Sequence, residues 1–240
     1  MTARPRDQTA RPGGANSETQ EGTKVAATGF VLAGGQSSRM GRDKALVEFE
    51  GRPLVERAIG ILKAAGVPAY IAGSREEVRG RLESYAPVIP DAAPGLGPLA
   101  GVCAALRSTS APHSVFLPVD VPLMPSSLIQ YLLHHARVTG SAVTVTSVNG
   151  FAQTFPAVVA RETLPGLEGR LHDGELGCLR AFRAAAVQLE RDVSVLPVEV
   201  LLQSGQVAHP EALPLVHWFL NVNSAPDLAW LHRLQKQPVP

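Results

Sequence analysis

The sequence has little cysteine and no excess of charge of either sign. Its 240 residues include only Cys103 and Cys178, which stand far apart and form no Cys-x-x-Cys motif and no Cys/His cluster. This pattern excludes a disulfide-built scaffold and argues against a structural zinc site. Lysine and arginine total 22 against 21 aspartate and glutamate. A chain so nearly neutral has no overall field to attract nucleic acid or an anionic membrane, so any bound anion must be held by a local site.

Long apolar runs are absent as well. The runs at residues 25–33 and 98–106 are far shorter than the roughly 18 to 20 residues that cross a bilayer. No apolar stretch near residue 1 fits a secretory signal. We therefore expect a soluble chain without membrane contact, in a reducing cytoplasmic location.

Glycine and proline are more frequent than usual, with 22 and 20 residues, but 45% of the chain is apolar, which is too much for a disordered protein. Residues 1–24 combine proline and glycine with many polar residues and have almost nothing to bury, so we predict a disordered tail. The rest of the chain, residues 25–236, is predicted to form one domain with a sizeable core.

From residue 28 onward the pattern alternates between strand and helix. The predicted strands are residues 29–33, 67–72, 87–90, 114–119, 141–148, 153–160 and 216–222. The predicted helices are one after Arg52 and others beginning at residues 75, 98, 125 and 225. The dipeptide Asn149-Gly150 predicts a hairpin turn, and residues 161–210 give the weakest pattern. Such alternation predicts an α/β fold with a mostly parallel sheet, which binds ligands at the C-terminal ends of its strands.

A glycine-rich loop follows the first predicted strand, at residues 34–44. Glycines let backbone N–H groups approach an anion closely, and Arg39 and Lys44 can neutralise a triphosphate through charge-assisted hydrogen bonds. The spacing fits neither the P-loop nor Gly-x-Gly-x-x-Gly. A surface loop with solvated charges explains the same composition about as well.

Two carboxylates lie at other strand ends. Asp120 follows a buried strand between Pro118 and Pro122, and a carboxylate there can hold Mg²⁺ together with substrate phosphates. From composition alone, a turn-capping role is the more common one for such an aspartate. Asp91 has the same ambiguity, in a loop before a helix whose N-terminus favours an anion.

The third polar motif is Asn221-Val222-Asn223, which we expect at the junction between the last predicted strand and the last helix. Ser224 is predicted as the N-cap of that helix. Asp227, three residues further on, has the spacing of a capping box.

Together these motifs resemble the molybdenum cofactor guanylyltransferase family over most of residues 28–230. The most specific match is Leu-Ala-Gly-Gly-x-Ser-x-Arg-Met-Gly-x-Asp-Lys-Ala at residues 32–45. It is supported by Pro90-Asp91, Gly97-Pro98-Leu99-Ala100-Gly101, Pro118-x-Asp120-x-Pro122 and Asn221-Val222-Asn223. The resemblance implies a three-layer, Rossmann-like nucleotidyltransferase fold. It also implies an enzyme that joins GMP from GTP to the terminal phosphate of molybdopterin, uses Mg²⁺ and releases pyrophosphate.

The resemblance also implies roles for individual residues. The GTP contacts would be Leu32, Ala33, Gly34, Gly35, Lys44, Asp91 and Asp120. The catalytic residues that stabilise negative charge would be Arg39, Lys44 and Asp120, and Asp120 would bind the metal. Asn221 and Asn223 would face the pterin. The GTP-binding part would span about residues 25–140 and the pterin-binding part about 141–236. Partner proteins would be molybdenum-insertion proteins and apo-molybdoenzymes.

Two segments depart from the family pattern. Ala72-Gly73-Ser74 stands where relatives often have an asparagine after the second strand, and Gly174-Glu175 is followed by Leu176-Gly177-Cys178 instead of a basic cluster. Arg180 or Arg183 could substitute for that cluster as a contact for the pterin phosphate.

Three other functions fit the same motifs. A related enzyme transfers CMP to the same cofactor, but its family usually has Leu-Ala-Ala-Gly where this chain has Leu-Ala-Gly-Gly at residues 32–35. A sugar-1-phosphate nucleotidyltransferase would share the fold class, which by itself does not fix function. A non-catalytic nucleotide or cofactor carrier is the third alternative.

Overall fold

A computed structural model describes residues 27–34, 43–74, 76–90 and 96–235. The strands are β1 (Thr28–Leu32), β2 (Glu48–Phe49), β3 (Arg52–Pro53), β4 (Ala69–Ser74), β5 (Val88–Pro90), β6 (His113–Pro118), β7 (Val143–Val148), β8 (Phe151–Ala160) and β9 (Val193–Pro197). The α-helices are α1 (Leu54–Ala64), α2 (Glu76–Leu82), α3 (Pro98–Arg107), α4 (Ser126–Thr139), α5 (Leu164–His172), α6 (Cys178–Gln188), α7 (Val198–Gln203), α8 (Leu215–Trp218) and α9 (Ala225–Gln235). The predicted tail at residues 1–24 lies outside the described residues.

Seven strands form one sheet in the order β5-β4-β1-β6-β8-β7-β9. Strand β1 pairs in parallel with β4 on one side and with β6 on the other. Strand β8 runs antiparallel to both β6 and β7, so β7 and its parallel neighbour β9 point the same way as β1. The prediction of a mostly parallel sheet is confirmed.

Helices cover both faces of this sheet. Successive strand residues point to opposite sides, and because the strands are apolar on both sides, each face is buried against helices. Val31 and Leu117 pack in one buried cluster with residues of α1 and α4. Phe30 and Phe116 pack in a second cluster with residues of α3, α5 and α6. The three-layer arrangement implied by the resemblance is therefore confirmed.

Local sequence signals place several of these elements. Helix α3 begins at Pro98, a favoured first helical residue, and its positions from Leu99 to Leu106 are all buried. The β7–β8 turn has Asn149 and Gly150 at φ 51° and 79°. A two-residue hairpin requires this left-handed pair, which confirms the predicted turn.

The predicted strand at residues 216–222 is wrong. Apolar residues alternate there with a period of two, but Val216 is 67% exposed, while the buried Trp218 donates its indole N–H to the carbonyl of Leu213 (2.8 Å). The segment forms the short helix α8 followed by irregular chain. Asn221 and Asn223 therefore lie between two helices. The remaining sheet strand is β9, within residues 161–210, where no strand was predicted.

No helix within the described ranges is both long enough and apolar enough to cross a membrane.

The two thiols are expected to be unreactive in the folded protein. Cys103 and Cys178 are 1% and 6% exposed, and burial raises their pKa values to about 11 and about 12. At about pH 8 both stay protonated, and the thiol form is a poor nucleophile. Titration with Ellman's reagent should be slow under native conditions and should release two equivalents in guanidinium chloride. Fast reaction of either thiol in the native protein would contradict this packing.

Candidate functional site

The C-terminal ends of β1 and β6 border the point where the strand order reverses. The chain passes from β1 to β4 and β5 on one side of β1, and then returns to β6 on the other side. Open α/β sheets bind ligands in the crevice at such a switch point. Backbone hydrogen bonds fix the residues after both strands: Ala33 N–H donates to the carbonyl of Ala72 (3.0 Å), and Val119 N–H donates to that of Leu32 (3.1 Å).

Lys44 contacts residues from two other polar motifs at this edge. It begins a short 3-10 helix, Lys44–Leu46, whose N-cap is the Asp43 carboxylate. The Nζ of Lys44 donates to Oδ2 of Asp120 (2.7 Å) and to Oδ1 of Asn223 (2.5 Å). Thus the glycine-rich loop, the strand-end aspartate and the Asn-Val-Asn motif each contribute one residue to a single contact. Their chemical roles remain predictions.

The two carboxylate oxygens of Asp120 differ in their contacts. Oδ2 is held by Lys44, but Oδ1 is buried and has no hydrogen-bond partner among the described residues. A buried unpaired polar atom costs about 1–3 kcal/mol, so a cation or a donor from a ligand fits at Oδ1. Within the described parts of the chain, no group of three or more His, Cys, Asp or Glu residues could hold a metal ion. Mg²⁺ in proteins commonly takes water and substrate phosphates as its further ligands.

The Asn-Val-Asn segment is anchored by its middle residue. Val222 is fully buried, and its backbone N–H donates to the carbonyl of Asp120 (2.9 Å). Asn221 and Asn223, on either side, are exposed. The anchor holds the segment beside the end of β6, where the Asn223 amide oxygen accepts from Lys44.

Gly34 is required by close packing of the backbone. A Cβ at this position would lie 2.4 Å from the carbonyl oxygen of Gly73, which itself has a φ of +78°. A Cβ on Gly101 would lie 3.7 Å from Cα of Gly73. Glycines at positions 34 and 73 allow the ends of β1 and β4 to approach closely, whereas a Cβ on Gly101 would make an ordinary van der Waals contact. Sequence reasoning assigned nothing to Gly73, although a glycine directly after a predicted strand is itself a signal of close approach.

Of the remaining predicted site residues, two lie within the described part of the chain and three lie outside it. Leu32 and Ala33 are each 9% exposed beside the crevice. Gly35, Arg39 and Asp91 lie outside the described residues, so their predicted roles stay predictions.

The two arginines suggested as substitutes for a basic cluster are both exposed on α6. Arg180 pairs with Glu175 at 3.0 Å. The backbone N–H of Gly177 and then the nearby arginines hold the pKa of the Glu175 carboxyl below its usual value, so this carboxylate is charged. An anion at Arg180 would have to compete with Glu175. A pterin-phosphate contact by Arg180 or Arg183 remains a prediction.

Comparisons with known proteins identify the family. Residues 29–191 match the family described as the MobA-like NTP transferase domain. A probable molybdenum cofactor guanylyltransferase from Opitutus terrae is 34% identical over 189 residues, which are 78% of this chain and 92% of that protein. A molybdenum cofactor guanylyltransferase from Xanthomonas euvesicatoria is 43% identical over 108 residues, 44% of this chain and 53% of that protein, so this match spans about half of the relative.

A solved structure agrees in fold. Molybdopterin-guanine dinucleotide biosynthesis protein A from Archaeoglobus fulgidus superposes with a TM-score of 0.69 and 22% identity, over 87% of this chain and 98% of that one. The resemblance found in the sequence motifs is confirmed, and the chain belongs to the MobA-like NTP transferase family.

Proposed function

We propose that this protein is a molybdenum cofactor guanylyltransferase, which transfers GMP from GTP to the terminal phosphate of molybdopterin and releases pyrophosphate. The observation that carries the proposal is the Lys44 ammonium, held between Asp120 and Asn223 at the switch point of the sheet. Relatives that are 34% and 43% identical to the chain over the matched residues are named molybdenum cofactor guanylyltransferase, the first of them as a probable one. Lys44 thereby joins the segment expected to hold the nucleotide to the segment expected to hold the pterin.

The reaction requires charge neutralisation more than proton transfer. A pterin phosphate oxygen attacks the α-phosphorus of GTP, a P–O bond forms there, and the bond to the β-phosphate oxygen breaks as pyrophosphate leaves. The attacking phosphate is already ionised near neutral pH, so no general base is needed. All reacting groups are anionic, and fixed positive charge where they meet favours both their binding and the transition state.

Lys44 is suited to that role. An ammonium group has three N–H donors, and the contacts with Asp120 and Asn223 use two of them. As far as the described residues show, one donor remains for a phosphate oxygen without loss of either contact. Arg39 is the second proposed cation.

We also propose that Asp120 holds Mg²⁺. Its Oδ1 is buried and has no partner within the described part of the chain, which fits a hard cation, and Mg²⁺ is commonly bound by one or two carboxylates with phosphates as further ligands. When bound, the ion would neutralise charge on the phosphates. The Lys44 ammonium pairs with the other oxygen of the same carboxylate, Oδ2.

Location and partner proteins rest on sequence reasoning. A cytoplasmic location is supported by two thiols that remain free and buried. Molybdenum-insertion proteins and apo-molybdoenzymes as partners, and the division into a GTP-binding part and a pterin-binding part, are inferred from the family resemblance.

The substrates are tested with purified protein, molybdopterin, Mg²⁺ and one nucleoside triphosphate at a time. Pyrophosphate release and the mass of the pterin product are measured. We expect turnover with GTP to exceed that with CTP by at least ~100-fold, because polar base-recognition sites discriminate strongly. Transfer from CTP alone would assign the protein to the cytidylyl relatives, and turnover with hexose 1-phosphates would assign it to the sugar-nucleotide enzymes. Nucleotide binding without any pyrophosphate release would indicate a carrier.

A further inference from the structure

Asn223 is itself held by another residue. Its backbone N–H donates to Oδ2 of Asp227 in the first turn of α9 (2.8 Å). The backbone N–H of Asp227 in turn donates to the hydroxyl of Ser224 (3.3 Å). A continuous series of hydrogen bonds therefore runs from the start of α9 through Asn223 to Lys44 and Asp120.

Asp227 is a charged acceptor at neutral pH. Its pKa is lowered first by the Asn223 N–H, then by Ser224, with a smaller contribution from the charge of Lys44. Hydrogen bonds from a backbone N–H to a carboxylate are stronger than those between neutral groups. The Asn223 backbone thus has a stronger partner here than water would be.

The two ends of this short segment are fixed differently. Val222 holds one end through its buried side chain and its bond to the Asp120 carbonyl. Asn223 is exposed and belongs to no helix or strand, so packing alone leaves its backbone free to turn. The bond to Asp227 is the second fixed point. With both in place, the Asn223 amide oxygen faces Lys44.

We propose that Asp227 is a positioning residue, whose carboxylate fixes the backbone of Asn223 so that the Asn223 side chain holds the Lys44 ammonium beside Asp120. The consequence for turnover rests on the proposed function. The consequence for Lys44 in the free protein does not.

Amine labelling of the free protein tests the placement of Lys44. The chain has four lysines, at positions 24, 44, 63 and 236, and Lys63 on the surface of α1 is an internal standard. Limited acetylation followed by peptide mass spectrometry gives the ratio of Lys44 to Lys63 labelling. We expect Asp227→Ala to raise this ratio by about threefold or more, because a Lys44 nitrogen held by one acceptor instead of two is more accessible to the reagent. Asp227→Asn keeps an acceptor oxygen for the Asn223 N–H and is expected to retain the wild-type ratio.

Glu199→Ala is the matched control. Its carboxylate accepts a hydrogen bond from the backbone N–H of Asn149 (2.6 Å), the same kind of contact at another turn. This variant is expected to leave the labelling ratio unchanged. A wild-type ratio in Asp227→Ala, equal ratios in Asp227→Ala and Glu199→Ala, or a raised ratio in Asp227→Asn would each overturn the proposal. Circular dichroism verifies that each variant is folded before labelling.

Steady-state kinetics then measures the consequence for transfer. Misplacing a group that acts on the transition state lowers kcat, and we expect a loss of about tenfold in Asp227→Ala with the KM for GTP changed by less than about twofold. Asp227→Asn should recover most of kcat. If no nucleotide is transferred by the wild-type protein, the proposed function fails and the labelling result still decides the role of Asp227. If transfer occurs but the labelling ratio does not respond to Asp227→Ala, the positioning role fails alone.

Discussion

Asp120→Ala is expected to lower the rate of guanylyl transfer by about 10³-fold, the scale of losing one well-placed electrostatic group in an active site. The variant removes one of the two acceptors that hold Lys44, and it removes the oxygen that is proposed to bind Mg²⁺ and has no partner among the described residues. Lys44 and Mg²⁺, two of the three proposed sources of positive charge, would then be misplaced. The loss should fall on kcat, because the charge redistributes at the phosphates during transfer.

The same substitution is expected to have little effect on stability. The Lys44–Asp120 pair is partly exposed, with side-chain accessibilities of 18% and 22%, so the ion pair contributes about 1 kcal/mol or less. Oδ1 is buried without a partner in the ranges that the structure describes, and its removal offsets that loss. The bond from Val222 N–H uses the main-chain carbonyl of Asp120 and survives. We expect the free energy of unfolding to stay within about 1 kcal/mol of the wild type.

Pyrophosphate release and urea unfolding measure the two effects. Glu168→Ala is the control, since it removes another surface ion pair, with Arg107 at 2.5 Å. Arg107 is the last residue of α3, and β6 begins at His113. The pair therefore lies near the N-terminal end of β6, whereas Asp120 follows its C-terminal end. Glu168→Ala should therefore keep wild-type turnover. Undiminished turnover in Asp120→Ala would refute the proposed role of this carboxylate. An unfolded variant would contradict the expectation that Asp120 contributes little to stability.

The sequence predicted best those elements whose first and last residues are determined by neighbouring residues in the chain. Strand β1 is a short apolar run that stops at Gly34, and α3 begins at a proline and is buried along one continuous stretch. The β7–β8 turn has its Asn-Gly pair. In each case neighbouring residues alone restrict the backbone, so no distant partner is needed to recognise the element.

Strands were predicted less well, because a strand depends on a partner elsewhere in the chain. Strand β9 lies at the edge of the sheet and is half-exposed, so its pattern lacks the buried run of a central strand. Residues 216–222 have the alternation of a strand but find no neighbour in the sheet. Periodicity reports which residues favour one face, whereas a strand also requires hydrogen bonds from a partner elsewhere in the chain.

In the candidate site, too, the sequence predicted the individual residues but not the contacts between distant parts of the chain. Residue type and position at a predicted strand end identified Lys44, Asp120 and Asn223 one by one, although the strand predicted before Asn223 is a short helix followed by irregular chain. Their contact joins positions 179 residues apart and depends on how the last helices return to the sheet. Asp227 was predicted only as part of a helix cap, and its bond to Asn223 follows from the path of the irregular chain before α9.

Gly34→Ala is expected to lower the free energy of unfolding by about 1–3 kcal/mol, the usual cost of overpacking a close contact. The added Cβ would lie 2.4 Å from the carbonyl oxygen of Gly73 and 3.2 Å from its carbonyl carbon. Both are backbone atoms, and the Ala33–Ala72 hydrogen bond immediately before them holds the two chains together. Neither chain can turn aside without breaking the end of the β1–β4 pairing.

Gly60→Ala is the matched control, because Gly60 lies on the exposed side of α1 and a Cβ there meets nothing within 4 Å. In a helix the alanine should raise stability by up to about 1 kcal/mol. Urea unfolding of both variants gives opposite expected signs. A Gly34→Ala protein as stable as the wild type would mean that the Gly34–Gly73 contact is wrong.

Gly34→Ala also bears on nucleotide choice, since the cytidylyl relatives usually have alanine at this position. The added methyl displaces backbone at the ends of β1 and β4 and introduces no group that reads a base. We therefore expect turnover with GTP to fall without a gain with CTP. Measurable transfer from CTP by this variant would show that the single methyl is enough to switch the base, and that the Gly73 backbone can move to admit it.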